Sequence, residues 1–121
     1  MIELVLEGNV PSKKNSRIRT RSGSSIPSKA FYDWQRDALL QVKTQTRARG
    51  LTGVSIEVII YFGTNIRADL DNRLTSVLDM LVEGLVLRDD KWQDVPRMAV
   101  QGEYRKGKPG AFVRISELPN G

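Results

Sequence analysis

The sequence predicts an α/β chain of the α+β kind, with a single mixed β-sheet and two main helices packed on it. Its 121 residues suit one domain covering residues 1–121. Short stretches with strand-like alternation and two longer stretches with helical periodicity follow one another without an internal repeat. We therefore expect the order strand, helix, strand, helix, strand, strand, with the helices packed on the sheet.

The first third of the chain predicts one strand, one loop and one helix. Apolar residues alternate over residues 2–7, which indicates a strand. A loop by composition then extends to Pro27, and its length for a compact domain makes it either mobile or functional. Ser28 is a suitable N-cap for a helix that runs to about Arg49, with Gly50 in the position of a C′ glycine.

The rest of the chain predicts the remaining elements. Residues 54–62 are apolar and β-branched, which indicates a strand in the centre of the sheet. Residues 70–83 carry one apolar stripe and are followed by Gly84, which predicts the second helix and its end. Residues 95–105 and 111–117 predict two further strands, and the Gly- and Pro-containing turn between them is typical of a hairpin.

The residue types that are missing restrict the chemistry. The chain has no cysteine, which excludes disulfides and thiolate metal sites, and no histidine, which excludes imidazole bases and nucleophiles. A metal must then be held by oxygen, which favours Mg²⁺, or Mn²⁺, over Zn²⁺. No apolar run reaches transmembrane length and the first residues do not form a signal peptide. We therefore expect a cytoplasmic protein without a membrane partner.

Charge is distributed unevenly along a chain whose net charge is +5. Residues 9–29 contain six bases and no acid, whereas residues 66–94 contain seven acids and four bases. A polyanion would be attracted to the first segment and repelled by the second unless a cation were bound there. A metal-dependent nuclease requires this combination; the alternative is an ordinary solvated surface.

Carboxylates cluster around the start of the second predicted helix. We expect Asp69 just before this helix and Asp71 in its first turn, where a cap or first-turn acid is the alternative explanation for each. Asp71, Thr75 and Asp79 are spaced to share one flank of the helix. Asp79 could look into a cleft, although we prefer a surface position for it.

Carboxylates gathered in a small space repel one another, and a divalent ion removes that penalty. Such an ion can lower the pKa of a bound water and stabilise charge on a phosphodiester. On spacing alone, metal binding and helix capping are equally open explanations.

The motif Asp69-Leu70-Asp71-Asn72, followed by Asp79 and then Asp89-Asp90, resembles the signature of the RusA family of Holliday-junction resolvases. The opening strand, the following Pro11-Ser12-Lys13-Lys14-Asn15-Ser16 and the total length fit the same family over nearly the whole chain. The resemblance implies a homodimeric, Mg²⁺-dependent crossover junction endodeoxyribonuclease of DNA recombination and repair, found in bacteria and often in phages or prophages. It implies Asp69, Asp71 and Asp90 as catalytic and metal-binding acids, with Asp89 as a further metal ligand.

One position departs from the family's pattern. The family usually has a lysine one turn after the second Asp of the motif, and this chain has Thr75 there. Threonine has no positive charge, and its hydroxyl cannot replace one. Arg73 and Lys91 are local cations that could substitute, and Lys13 or Lys14 could reach in from the basic loop of either subunit.

The basic loop is suited to phosphate contacts, which position a protein on DNA without reading its bases. In a two-fold homodimer, two such loops could hold the symmetric arms of a four-way junction. The alternative is a solvated loop without a DNA contact. The predicted DNA-binding residues are Lys13, Lys14, Arg17, Arg19, Arg21, Arg73 and Lys91.

Two tryptophans allow different interpretations. Trp34 lies in the apolar pattern of the first helix, and we expect it in the core. Trp92 could pack at a subunit interface, stack on an unpaired base or cover the core, and we prefer packing.

Two other functions remain open beside that of a junction endonuclease. The first is a non-catalytic protein that binds branched DNA or other nucleic acid on the same fold, with Thr75 marking lost activity. The second is a basic interaction module whose acids only cap helices. Metal-dependent cleavage separates the endonuclease from both, and junction-selective binding without cleavage separates the first from the second.

Overall fold

The computed structural model describes residues 1–12, 17–19 and 25–118, and gives the backbone alone for residues 17–19 and 25–27. These residues form six strands and two helices, which confirms the predicted α+β fold with a mixed sheet. The strands are β1 (Ile2–Glu7), β2 (Arg17–Arg19), β3 (Ser25–Pro27), β4 (Val54–Phe62), β5 (Arg97–Tyr104) and β6 (Gly110–Glu117). The helices are α1 (Lys29–Gln45) and α2 (Asp71–Glu83).

The main sheet has four strands in the order β1-β6-β4-β5. β6 is antiparallel to both of its neighbours, whereas β4 and β5 are parallel. β4 lies between two partners, so the predicted central position of this apolar strand is confirmed.

The predicted hairpin between the last two strands is wrong. β4 lies between β5 and β6, and its Ile59 pairs with Gln101 on one side and with Phe112 on the other. The turn after β5 therefore crosses the end of β4, where the Arg105 backbone N–H donates to the Phe62 carbonyl at 2.8 Å. The turn residues indicated a change of direction correctly, but they carry no information about a third strand inserted between the two.

The segment predicted as a loop contains a small antiparallel pair. β2 and β3 form a separate two-stranded sheet in which Ile18 pairs with Ile26. Three-residue strands lack the long alternation by which a strand is recognised in a sequence. The prediction of a loop without regular structure is therefore wrong for these two short stretches.

The core lies between one face of the main sheet and the two helices. Alternation along the strands sends one set of side chains to this face and leaves the other set, such as Val5, exposed. Trp34 belongs to this core, as predicted. The strands contribute Leu4, Leu6, Ile56, Val58, Ile60, Val113 and Ile115, and the helices contribute Ala38, Val42, Leu74, Val77 and Leu81.

Helix α1 begins where the sequence predicted and ends earlier. Its N-cap is Ser28, whose hydroxyl accepts a hydrogen bond from the Phe31 backbone N–H at 3.3 Å. Thr46 is already extended, with φ −149°, so the predicted end near Arg49 is wrong. The helix stops early because the residues after it, including Gly50, hydrogen-bond the segment that follows α2.

The end of α2 determines where the following acids lie. The helix stops at Gly84 as predicted, and a Cβ there would come within 2.5 Å of a Leu39 methyl, so this helix end packs closely on α1. Leu85 then adopts a left-handed conformation with φ 63°. A parallel bridge joins Leu51 to Leu87, which leads the chain back beside α1 just before the two adjacent aspartates.

In the part of the chain that the structure describes, no helix has the length and apolar character needed to cross a lipid bilayer.

Candidate active site

Asp69 and Asp71, the first two acids of the motif, lie at the start of α2, as the sequence predicted. Asp69 precedes the helix and Asp71 is its first residue. The N-cap is Leu70, and no side chain caps the helix through a hydrogen bond. A capping bond therefore explains neither aspartate, although the exposed Asp71 is favoured there by the helix dipole.

Asp69 is held in place by the next turn of the chain. The Arg73 guanidinium donates to its Oδ1 at 2.8 Å and to its backbone carbonyl at 2.9 Å, and the Asn72 amide donates to its Oδ2 at 2.7 Å. Each carboxylate oxygen can accept two hydrogen bonds, so one lone pair on each remains available. Asp69 is therefore oriented without being saturated.

The Arg73 side chain is largely buried, which is unusual for an arginine at the protein surface. Its side chain is 14% exposed, and its guanidinium lies 5.3 Å from the centre of the Phe62 ring. Arg73 was predicted among the DNA-binding residues, and the structure shows in addition an ion pair with Asp69 that was not predicted.

A concave surface, here called the acidic cleft, lies between the two helices and the segment after α2. It has a volume of about 340 Å³. Among the residues that the structure describes there, four carry carboxylates and none is basic. Its lining residues are Phe31, Tyr32 and Gln35 from α1, Asp79, Val82 and Glu83 from α2, and the following Asp89 and Asp90.

Asp79 was expected to be an ordinary surface acid, and the structure corrects this. It is half-buried and lines the acidic cleft together with Asp89 and Asp90. Burial of the apolar stripe of α2 fixes the rotation of the helix so that the flank with Asp79 lies toward α1. The carboxylate is therefore part of the cleft wall. The alternative interpretation, that Asp79 looks into a cleft, is therefore the correct one.

The two adjacent aspartates differ in their surroundings. The Asp90 backbone N–H donates to Oδ1 of Asp89 at 2.7 Å, and the Lys91 ammonium lies 3.6 Å from Oδ2 of Asp89. The hydrogen bonds from Asp90, and then the charge of Lys91, hold the pKa of Asp89 below its usual value. Asp89 is therefore ionised at neutral pH, next to the exposed Asp90.

The structure does not gather all of the predicted ligands at one point. Asp89 and Asp90 line the acidic cleft, whereas Asp69 and Asp71 do not. Asp71 precedes Asp79 by two turns on one flank of α2, a separation of about 12 Å along the helix axis. Across residues 1–12, 17–19 and 25–118, no group of three or more acidic side chains is close enough to hold a metal ion.

The predicted ligands nevertheless have the donor type that Mg²⁺ and Mn²⁺ prefer, because all of their donor atoms are carboxylate oxygens. They do not form a complete ligand set in the described part of one chain. Phosphate or water oxygens would have to complete the coordination of an ion at Asp71 or Asp90, which is usual for Mg²⁺.

The position of the missing family lysine is occupied by an exposed hydroxyl. The Thr75 Oγ1 donates to the Asp71 backbone carbonyl at 3.0 Å, so it is turned back onto its own helix. Of the local cations considered as substitutes, Arg73 is paired with Asp69 and Lys91 lies beside Asp89.

The start of the basic segment is anchored to α2. The hydroxyl of the fully buried Ser76 donates to the Pro11 carbonyl at 2.6 Å. This contact was not predicted, and its one signal in the sequence was a serine inside the apolar stripe of α2. Of the predicted DNA-binding residues, Lys13, Lys14 and Arg21 lie outside the described residues, and only the backbone is described for Arg17 and Arg19.

Two more residues near the cleft have places that the sequence did not indicate. Trp92 is 74% exposed, so the interpretation that it covers the core is wrong, while a subunit interface and base stacking stay open. Asp94 is buried, and its Oδ1 accepts a hydrogen bond from the Thr52 hydroxyl at 2.7 Å. Asp94 is therefore a structural acid rather than part of the candidate site.

Comparison with known proteins shows which family the chain resembles over most of its length. The sequence model of the family described as Endodeoxyribonuclease RusA matches residues 7–116. The chain is also similar to the Crossover junction endodeoxyribonuclease RusA of Aquifex aeolicus (strain VF5), with 23% identity over 115 residues. That alignment covers 94% of this chain and 90% of the relative. All of the acids discussed above lie inside the region that the family model matches.

Proposed function

Because this chain belongs to the RusA family of endodeoxyribonucleases, we propose that it is an active crossover junction endodeoxyribonuclease, which resolves Holliday junctions by paired symmetric nicks. Family membership implies the activity and its substrate class, branched DNA. The observation that supports catalytic competence is that Asp71 and Asp90 are both exposed to solvent and that Arg73 orients Asp69, two residues before Asp71. We propose DNA recombination and repair in the cytoplasm as its setting.

RusA-type resolvases generally use a divalent metal ion. For this chain we propose Mg²⁺, which Mn²⁺ can replace, held by Asp69, Asp71 and Asp90, with Asp89 as a further ligand. When bound, the ion supplies an activated water and stabilises negative charge on the phosphate. Because the described carboxylates do not converge by themselves, we expect metal affinity to rise when DNA supplies phosphate oxygens.

The chain's own residues have three further tasks in this proposal. Asp69, fixed by Arg73, can orient a water molecule through its free lone pairs. The basic segment that starts beside α2 contacts phosphates through Lys13, Lys14, Arg17, Arg19 and Arg21, and Arg73 and Lys91 add positive charge near the acids. Two symmetric nicks require two active sites, so we propose that the active form is a homodimer.

Cleavage of a labelled synthetic four-way junction tests the proposal, with Mg²⁺, with EDTA, and with an Asp71→Asn variant. Asp37→Asn is a matched control, because Asp37 is exposed on α1 and lies outside the acidic cleft. We expect paired nicks that disappear with EDTA and with Asp71→Asn but persist with Asp37→Asn. An intact junction in both Mg²⁺ and Mn²⁺, or cleavage that tolerates Asp71→Asn, would contradict the proposal.

A second candidate is a branched-DNA-binding protein without nuclease activity. The observation that favours it is Thr75, whose hydroxyl is bonded to its own helix and offers no charge to a phosphate. Tight junction binding without cleavage in the same assay would support this second function.

A further inference from the structure

A row of three adjoining concavities follows α1 away from the acidic cleft, and we call this row the α1 groove. Tyr32, Gln35 and Glu83 line both the acidic cleft and the next concavity along the helix. Leu39 and Lys43 line both that concavity and a third one near the end of α1. Because neighbouring concavities share these residues, the three concavities adjoin one another along α1, starting at the acidic cleft.

The described charged side chains that line this groove are acidic at one end and basic at the other. Its first end carries the four carboxylates of the acidic cleft. Its far end is lined by Lys43, Arg47 and Arg49, and no acidic side chain of the described chain lines it. Residues 38–50 contain no aspartate or glutamate, so this charge is not offset along the chain either.

The cations at the far end are available to a ligand. Lys43, Arg47 and Arg49 are exposed, and none of them forms an ion pair with a described carboxylate. Arg49 makes only a long hydrogen bond, 3.5 Å, to the Gly84 carbonyl. By contrast Arg36, in the middle of the groove, lies 3.3 Å from the Asp33 carboxylate, which offsets its charge. Uncompensated cations on a concave surface attract a polyanion.

We propose that the α1 groove holds one strand of a DNA arm, with Lys43, Arg47 and Arg49 contacting its phosphates and the acidic cleft at its reactive end. This inference rests on the proposed function, because it takes branched DNA as the ligand. It adds a second phosphate-binding surface, at the end of α1 and in the segment that follows it, to the basic segment recognised in the sequence.

The dimensions and the lining of the groove suit a DNA strand. From Tyr32 to Lys43 the helix rises about 17 Å at 1.5 Å per residue, which corresponds to about five nucleotide steps at 3.4 Å each. The exposed side chains of Tyr32 and Leu40 supply apolar surface for sugars or bases between the two charged ends.

Binding to a labelled four-way junction tests the inference in a triple variant, Lys43→Gln, Arg47→Gln and Arg49→Gln. The matched control removes three exposed cations outside the groove, with Arg97→Gln, Lys106→Gln and Lys108→Gln. All proteins also carry Asp71→Asn, so that binding is measured without cleavage, by fluorescence anisotropy over a series of salt concentrations. Thermal denaturation and light scattering establish that the fold and the oligomeric state are kept.

We expect the triple variant to bind about 10-fold or more weakly than the control at moderate salt, and the slope of log K against log [salt] to fall by about 2 to 3 units for three lost phosphate contacts. A slope and an affinity equal to those of the control overturn the inference. An altered oligomeric state with an unchanged salt slope also overturns it, because the groove would then be an interface between copies of this chain.

This test separates the inference from the proposed function. If the protein with Asp71 intact cuts the junction but the groove variants bind like the control, the inference fails and the endonuclease proposal stands. If the protein with Asp71 intact does not cut the junction but the salt slope of the triple variant falls as expected, the endonuclease proposal fails and the groove is still a DNA-binding surface.

Discussion

The Arg73 guanidinium lies 2.8 Å from the Asp69 carboxylate and also hydrogen-bonds the backbone carbonyl of the same residue. One arginine therefore determines both the direction of the Asp69 side chain and the path of the chain into α2. The planar guanidinium can make both bonds while it covers the Phe62 ring. A positioning role for Arg73 follows from this geometry.

Arg73→Lys is therefore not a conservative change. A lysine ammonium is a point charge that cannot reproduce the two bonds together with the ring contact. We expect the free energy of unfolding to fall by about 1–3 kcal/mol and junction cleavage to fall with it. Urea denaturation and the cleavage assay measure these effects. Arg36→Lys is the control: its pair with Asp33 is largely exposed, and we expect a change under about 1 kcal/mol. Equal losses in the two variants would contradict the positioning role.

Ser76→Ala is expected to destabilise the protein by about 1–3 kcal/mol, because it leaves the Pro11 carbonyl without its short hydrogen bond. Ser12→Ala is the contrasting change. The Ser12 hydroxyl is buried and has no hydrogen-bond partner among the described residues, so its removal should be neutral or slightly stabilising. Chemical denaturation of both variants and of the parent protein measures these changes in the free energy of unfolding. A Ser76→Ala variant as stable as the parent would show that the bond contributes little.

Thr75→Lys places a cation at the position where the family usually has one. The side chain is exposed and lies on the flank that carries Asp71 and Asp79, so the change should not harm the fold. It should add up to about 0.5 kcal/mol from helix propensity. We expect faster single-turnover cleavage of a junction. Thr75→Gln, which has a long side chain but no charge, is the control. Equal rates for the two variants would show that charge at this position is not limiting.

The fluorescence of Trp92 tests whether its side chain is exposed to solvent. With Trp34 replaced by Phe, the emission reports Trp92 alone, and we expect strong quenching by acrylamide because the side chain is 74% exposed. Protection on addition of a junction would indicate base stacking, whereas protection that grows with protein concentration alone would indicate a subunit interface. A signal that resists acrylamide in dilute protein without DNA would contradict the exposed position.

The placement of Asp69 and Asp71 could be predicted because it depends on a local event, the start of a helix. The N-cap at Ser28 and the end of α2 at Gly84 were predictable for the same reason. Each depends on residues within one turn of the feature itself.

Features that depend on distant pairing could not be predicted in this way. The acidic cleft exists because the chain after α2 pairs with the segment after α1, through the bridge between Leu51 and Leu87. Asp79 therefore lies in a cleft wall that its own helix does not reveal. The hairpin of β5 and β6 was wrongly predicted for the same reason, because the position of β4 between these two consecutive strands depends on the pairing of the whole sheet.

The pairing of β1 with β6 also has a consequence for how the chain reaches its native state. Ile2 pairs with Ile115, so β1 can pair only with β6, which lies about 110 positions further along the chain. During synthesis β1 therefore emerges long before its partner strand β6, and until then only α1, among the elements that it contacts, can cover its apolar residues Leu4 and Leu6. This pairing between distant parts of the chain raises the mean sequence separation of the contacts, so we expect refolding to be slow relative to helical proteins of the same length.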